Sequence, residues 1–203
     1  MPRTPSTSFE RFAGLCAIIV GIVGFLYAVA FVILQNNLLS ALFLMLGGLL
    51  SSAVLVAIYN RLRETDAAFA LWALLLGIAG ALGSAAHGGY DLANAINPVD
   101  SALPDLPNPV DPRGLLTFGV AGVGLFVIAW LIMRGGQFPR SLGYLAYVSA
   151  ALLIILYLGR LIVLEPTSLV IVIPALLNGF LVNPALYLWL GVALLSRRDA
   201  AIQ

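Results

Sequence analysis

The sequence has no lysine. Its ten basic residues are all arginine, so no side-chain amine can form a retinal or pyridoxal Schiff base, and both chemistries are excluded. Cysteine occurs once, at Cys16 in an apolar run, which rules out an internal disulfide and leaves that residue as a small hydrophobe. Histidine also occurs once, at His87, so haem held by two histidines of the chain is excluded by count. Charge is scarce: 9% of residues are charged and 62% hydrophobic, whereas soluble domains average about a quarter charged residues. A net charge of +1 and no arginine cluster on a soluble face leave nothing to track a phosphate backbone, so no nucleic acid partner is expected. Ser-His-Asp order, zinc-ligand spacing, a phosphate loop and a nucleophile elbow are all missing, which removes support for a protease or NTPase.

What the chain has in quantity is long apolar runs. Six of them, at about 12–34, 38–59, 67–96, 115–133, 142–164 and 168–195, are long enough to cross roughly 30 Å of hydrocarbon at 1.5 Å per residue. The expected fold is therefore an all-α membrane protein, one domain over residues 1–203, with six transmembrane helices in an antiparallel bundle. Ala28, Val29 and Ala30 resemble a signal-peptidase site, but the apolar stretch before them is longer than a signal core and is read as a retained span. Leu15, just before Cys16, argues against a lipoprotein signal.

Arginine placement predicts the orientation. Arg3, Arg11, Arg61, Arg63, Arg134, Arg140, Arg197 and Arg198 fall on one side of the alternation, and only Arg113 and Arg160 on the other. Because arginine is retained in the cytoplasm during insertion, both termini are expected inside, in a bacterial plasma membrane, with a Pro-rich loop between the third and fourth helices outside. That loop carries Pro98, Pro104, Pro107, Pro109 and Pro112 and repeats Asn-Pro-Val-Asp at 97–100 and 108–111, which predicts a fixed cap with solvated aspartates rather than a calcium site.

Small residues form two ridges on the third helix, Gly77, Ala81, Ala85 and Gly89 on one and Gly80, Ser84 and Gly88 on the other. Helices in lipid associate by close backbone approach, so this helix is expected at the centre, touching neighbours on both sides, with Gly119, Gly122 and Gly124 of the fourth helix as contact points.

Few polar residues interrupt the runs. His87, Asp91 and Asn94 lie at i, i+4 and i+7, hence on one face at the external end of the third helix. Arg160 lies about one turn from the external end of the fifth helix and can pair with Glu165 or snorkel, or it can join His87 and Asp91 in an externally open pocket suited to an anionic headgroup. Pro174 and Pro184 should kink the sixth helix, with Asn178 and Asn183 placed to satisfy the backbone groups so freed. The candidate ligand-binding set is therefore His87, Asp91, Asn94, Arg160 and Asn178. No cofactor or metal is expected, although Gly83 one turn before His87 would give clearance for a single chlorophyll-type macrocycle on that histidine.

The stretch Arg134-Gly-Gly-Gln-Phe-Pro139-Arg140-Ser-Leu-Gly143-Tyr-Leu, together with Leu186-Tyr-Leu-Trp189-Leu-Gly191 near the end, resembles the bacterial membrane proteins grouped as domain of unknown function 4386. The resemblance covers mainly residues 134–195 and implies a six-helix bundle with no established activity. Such proteins often carry an acidic residue about six positions before the tryptophan, where this chain has Asn183. The leading functional expectation is a non-enzymatic bundle, structural, accessory or binding a lipid or small molecule, whose partners are membrane lipids and other chains of a membrane complex. A small transporter or channel, and a lipid enzyme with His87 as base and Asp91 orienting it, are the alternatives.

Overall fold

In the computed structural model, residues 8–98, 111 and 113–196 are described. Arg3, Arg197, Arg198 and nearly all of the Pro-rich loop lie outside them. Six helices are long and apolar enough to cross a membrane: α1 (Ser8–Ile33), α2 (Asn37–Leu62), α3 (Ala67–Ile96), α4 (Leu115–Arg134), α5 (Arg140–Ile162) and α6 (Leu169–Leu195). There is no strand among the described residues. The chain is a multi-pass membrane protein.

Local chemistry sets the helix limits. Asn36 caps α2 by accepting from the Leu39 amide at 3.0 Å, and Asp66 caps α3 by accepting from the Ala68 and Phe69 amides, each at 3.1 Å, so orphan N–H groups are satisfied where each helix begins. Pro139 precedes α5, where its fixed φ costs no hydrogen bond. The turns after α1 and α5 each place a non-glycine residue in the left-handed region, Gln35 at φ 48° and Leu164 at φ 56°.

Three stretches widen into π-helical turns: Val29–Ile33 at the end of α1, Leu115–Val120 at the start of α4 and Asn178–Val182 within α6. The last sits between Pro174 and Pro184, where the kink was expected. The other two carry no proline and gave no sequence signal.

The helices close a ring in chain order, each packing on its sequence neighbours and α6 returning to α1. The third helix touches α2 and α4, as its two ridges predicted, but it is not central; the middle of the ring is a cavity. The ridges also divide differently from expectation. Gly77, Ala81, Ala85 and Gly88 face α2, while Gly80 and Gly83 face α4, because Gly88 continues the helical stripe that begins at Ala81. On α4 only Gly124 meets α3; Gly119 and Gly122 accommodate Tyr157, Ile154 and Leu153 of α5.

At the end of the ring that holds both helical termini, Leu62, Leu131, Ile132, Leu142 and Leu194 are fully buried. Arg61, one of the residues used to assign orientation, is 6% exposed there. Its Nε donates to Glu10 Oε1 at 3.0 Å, Nη1 to the Ala193 carbonyl at 3.0 Å and Nη2 to the Leu194 carbonyl at 3.2 Å, and its guanidinium lies 5.2 Å from the Phe138 ring centre. One side chain thus fastens α1, α2 and α6 and satisfies carbonyls that a helix end leaves open.

Candidate functional site

The opposite end of the ring, which carries the 97–114 connection, holds the polar group read from the sequence. A cavity of about 410 Å³ is lined there by His87, Asp91, Asn94 and Arg160, with Tyr27, Asn37, Ser40, Asp111 and Tyr157 contributing from other elements. Four of the five expected residues therefore meet. Asn178 is elsewhere: it is buried and accepts from Ser149 Oγ at 2.9 Å, tying α5 to α6 at the π-helical turn.

Beside the polar cavity, two of its acidic lining residues, Asp91 and Asp111, are held by an arginine used above only for orientation. Arg113 donates from Nε to both oxygens of Asp111 at 2.9 Å and places Nη2 2.7 Å from Asp111 Oδ2, while Nη1 donates to Asp91 Oδ1 at 3.4 Å. The guanidinium also stacks 4.5 Å from the Tyr90 ring centre. His87 Nε2 is 3.4 Å from Asp91 Oδ2 and 3.7 Å from Asp111 Oδ2. The expected His87–Asp91 pair is present, but as part of a lattice joining α3 to the start of α4. Asp111, read as a solvated loop carboxylate, is a structural partner because the chain folds back over α3. The local signal was Asp111 two residues before an arginine at a helix start, an arrangement in which the carboxylate also accepts from the Arg113 amide at 2.8 Å.

Partial burial works to raise the Asp111 carboxyl, but the hydrogen bonds and charge of Arg113 outweigh it and hold the group below its ordinary value of 3.8. A carboxyl lowered on folding adds stability that is full above the unfolded value and is lost as pH falls through the folded one. The expected result is that Asp111→Asn destabilises the protein by about 1–2 kcal/mol at neutral pH, and that wild type and variant converge as pH drops below about 4. Thermal unfolding at pH 7, 5 and 3 checks both.

Arg160 is not paired with Glu165. Glu165 accepts from Thr167 Oγ1 at 2.7 Å, and among the described residues no hydrogen bond or ion pair engages the Arg160 guanidinium. The left-handed turn at Leu164 carries the chain, and Glu165 with it, away from the end of α5.

Below the polar cavity lies a larger one of about 870 Å³, lined by residues of all six helices and predominantly apolar. Its lining on α5 runs from Leu142 through Ala146, Leu153 and Leu156 to Arg160, about 27 Å of helix at 1.5 Å per residue, most of a membrane's hydrocarbon thickness. Tyr27, Phe31, Leu44, Phe118 and Arg160 line both cavities, so the polar space and the apolar one share a wall. Each π-helical turn contributes to the walls, through Phe31, Phe118 and Asn178 respectively. This lumen was not legible in the sequence, since its lining residues are the same Leu, Ala and Gly that fill packed helix contacts.

The clearance proposed for a macrocycle at Gly83 is taken by Leu116, whose side chain a Cβ at Gly83 would overlap. His87 Nδ1 is buried with no partner among the described residues, and Nε2 faces two carboxylates. No family model, no curated protein and no solved structure matches this chain, so the resemblance carried by residues 134–195 rests on those residues alone.

Proposed function

We propose that this chain is a non-enzymatic, ligand-binding helical bundle of the bacterial plasma membrane, holding an amphiphile whose anionic group meets Arg160 and whose apolar body lies in the lumen. The observation that carries this reading is the position of Arg160, an arginine with no described partner on the wall shared by the polar cavity and the apolar lumen. A guanidinium is suited to carboxylate or phosphate, and a concave, mainly apolar space with a few convergent polar groups is the usual form of a small-molecule site. The expected result is that protein purified in mild detergent retains an anionic amphiphile at fixed stoichiometry, detected by mass spectrometry of the extract. Loss of one charged hydrogen-bonding partner is worth about 1.5–3 kcal/mol, so Arg160→Ala should retain roughly 10- to 100-fold less. An extract matching the bulk lipid composition in both proteins would overturn the proposal.

Binding is favoured over catalysis by His87, whose free nitrogen is enclosed while the other faces Asp91 and Asp111. Transport through the ring is disfavoured because Asn178 is engaged by Ser149 away from the polar group and because Leu62, Leu131 and Leu194 are fully buried at the end around Arg61.

In this reading the helices are antiparallel and both termini are cytoplasmic. Arg11, Arg61, Arg63, Arg134 and Arg140 belong to the helix ends and turns around Glu10, Glu64 and Gln137, which contact one another, while Arg113 and Arg160 line or border the polar cavity at the other end. A fluorescent protein fused after Gln203 should be bright and an alkaline phosphatase fusion there inactive; the reverse pattern would invert the assignment.

A further inference from the structure

Around the ring, one pair of adjacent helices, α1 and α6, departs from close packing at one end. The π-helical end of α1, Val29–Ile33, packs on α2, and the first part of α6, Leu169–Leu177, packs on α5, but these two segments make no extensive contact with each other. Further down, α1 and α6 come together, where Gly179 approaches Ala28 and Phe25 meets Phe180 edge-on at 6.0 Å. Above that level Val32 and Leu176 line the cavity, while their chain neighbours Ile33 and Leu177, which do not line it, are exposed. The splay has a local cause on each side. A π-helical turn ends α1, and α6 carries Pro174 followed by a π-helical turn, features that bend or widen a helix.

We infer that this gap is a lateral portal through which the lumen takes its ligand from the bilayer, and that the ligand is an anionic lipid with a chain in the lumen and its headgroup at Arg160. The inference rests on the ligand-binding reading above. The gap lies beside apolar, outward-facing side chains such as Ile33, Leu169 and Ile173, so what adjoins it in a membrane is hydrocarbon, and a chain can pass without crossing water. At the same level Arg160 offers the positive charge that a lipid head brings its complement to. A water-borne solute would instead have to pass a polar cavity in which Asp91, Asp111 and Arg113 are bound to one another.

The test uses the full chain in phosphatidylcholine vesicles, so that an added diazirine-labelled long-chain fatty acid is the only anionic lipid. Samples are irradiated at successive times and the labelled peptides are mapped. Val32→Trp and Ala175→Trp narrow the gap from either side, and Leu75→Trp, on the outer face of α3, is the control. The expected result is labelling at lumen residues such as Leu153 and Leu186, slowed roughly fivefold or more by either gap variant, the lower end of an overpacking penalty, and unchanged by the control. Lumen labelling at an unaltered rate in both gap variants would overturn the portal while leaving the binding reading in place. Labelling confined to Leu169, Ile173 and other outer positions would overturn both. Equal lumen labelling by the neutral methyl ester would overturn the anionic head while leaving the route.

Discussion

Replacing Arg61 by alanine is expected to destabilise the protein by about 3–5 kcal/mol, the cost of breaking a buried charge pair by removing one partner. The size follows from geometry. Three of the guanidinium's nitrogens each hold a different acceptor, one on α1 and two on the last turn of α6, and the group is sealed under Phe138. Alanine would leave a buried carbonyl, that of Leu194, and a part-buried one, that of Ala193, without their arginine donors and open a space beneath the ring. Lysine should recover only part, since a point charge cannot reproduce a fork of donors in fixed directions. Glu10→Ala combined with Arg61→Ala should cost less than the two single changes summed, because each removes the same contact. Thermal unfolding in detergent, followed by tryptophan fluorescence, gives the comparison; an Arg61→Ala protein within about 1 kcal/mol of wild type would show that the contacts form without contributing.

A second large effect is expected at Gly48 and Gly88, where α2 and α3 approach backbone to backbone. A Cβ at Gly48 would lie 2.5 Å from the Ala85 amide nitrogen and 2.6 Å from the Ala81 carbonyl, and one at Gly88 would press on the Met45 nitrogen and the Ala41 carbonyl. Where the obstructing atoms belong to a flexible side chain, as with Leu55 at Gly77, the neighbour can turn aside. Main-chain atoms cannot, so the helices themselves must separate. Gly48→Leu and Gly88→Leu should each cost about 3 kcal/mol or more, the upper end for overpacking, and the pair together should prevent folding. Gly136→Leu, which has nothing within 4 Å, should be close to neutral. A Gly48→Leu protein that unfolds with the wild type would mean that α2 and α3 are less closely apposed.

These two regions differ in how far the sequence revealed them. The apolar runs gave the six helices and most of their limits, because length and hydropathy alone decide what can span hydrocarbon; the largest difference was at the start of α1, Ser8 rather than Phe12. The face formed by His87, Asp91 and Asn94 was legible from helical periodicity, and its link to Arg160 from depth in the membrane. Arg113 was not, since its bond to Asp91 joins residues 22 apart in sequence and depends on the direction in which the chain returns. Arg61 was hidden for another reason: counting arginines by side treats each as a headgroup contact, and nothing local distinguishes Arg61, which turns inward, from Arg63, which is exposed. The ridges of α3 were visible as composition, but assigning Gly88 to α2 required knowing where the partner helix lay. The lumen depended on helices failing to fill the middle of a ring, a property of no single segment.

With Leu62, Leu131 and Leu194 fully buried at the end around Arg61, the proposed side portal puts the lumen's exchange with its surroundings at the opposite end. On that reading an occupant leaves either by the side gap or past the shared wall into the polar cavity, so its dwell time is set by the lower of two barriers.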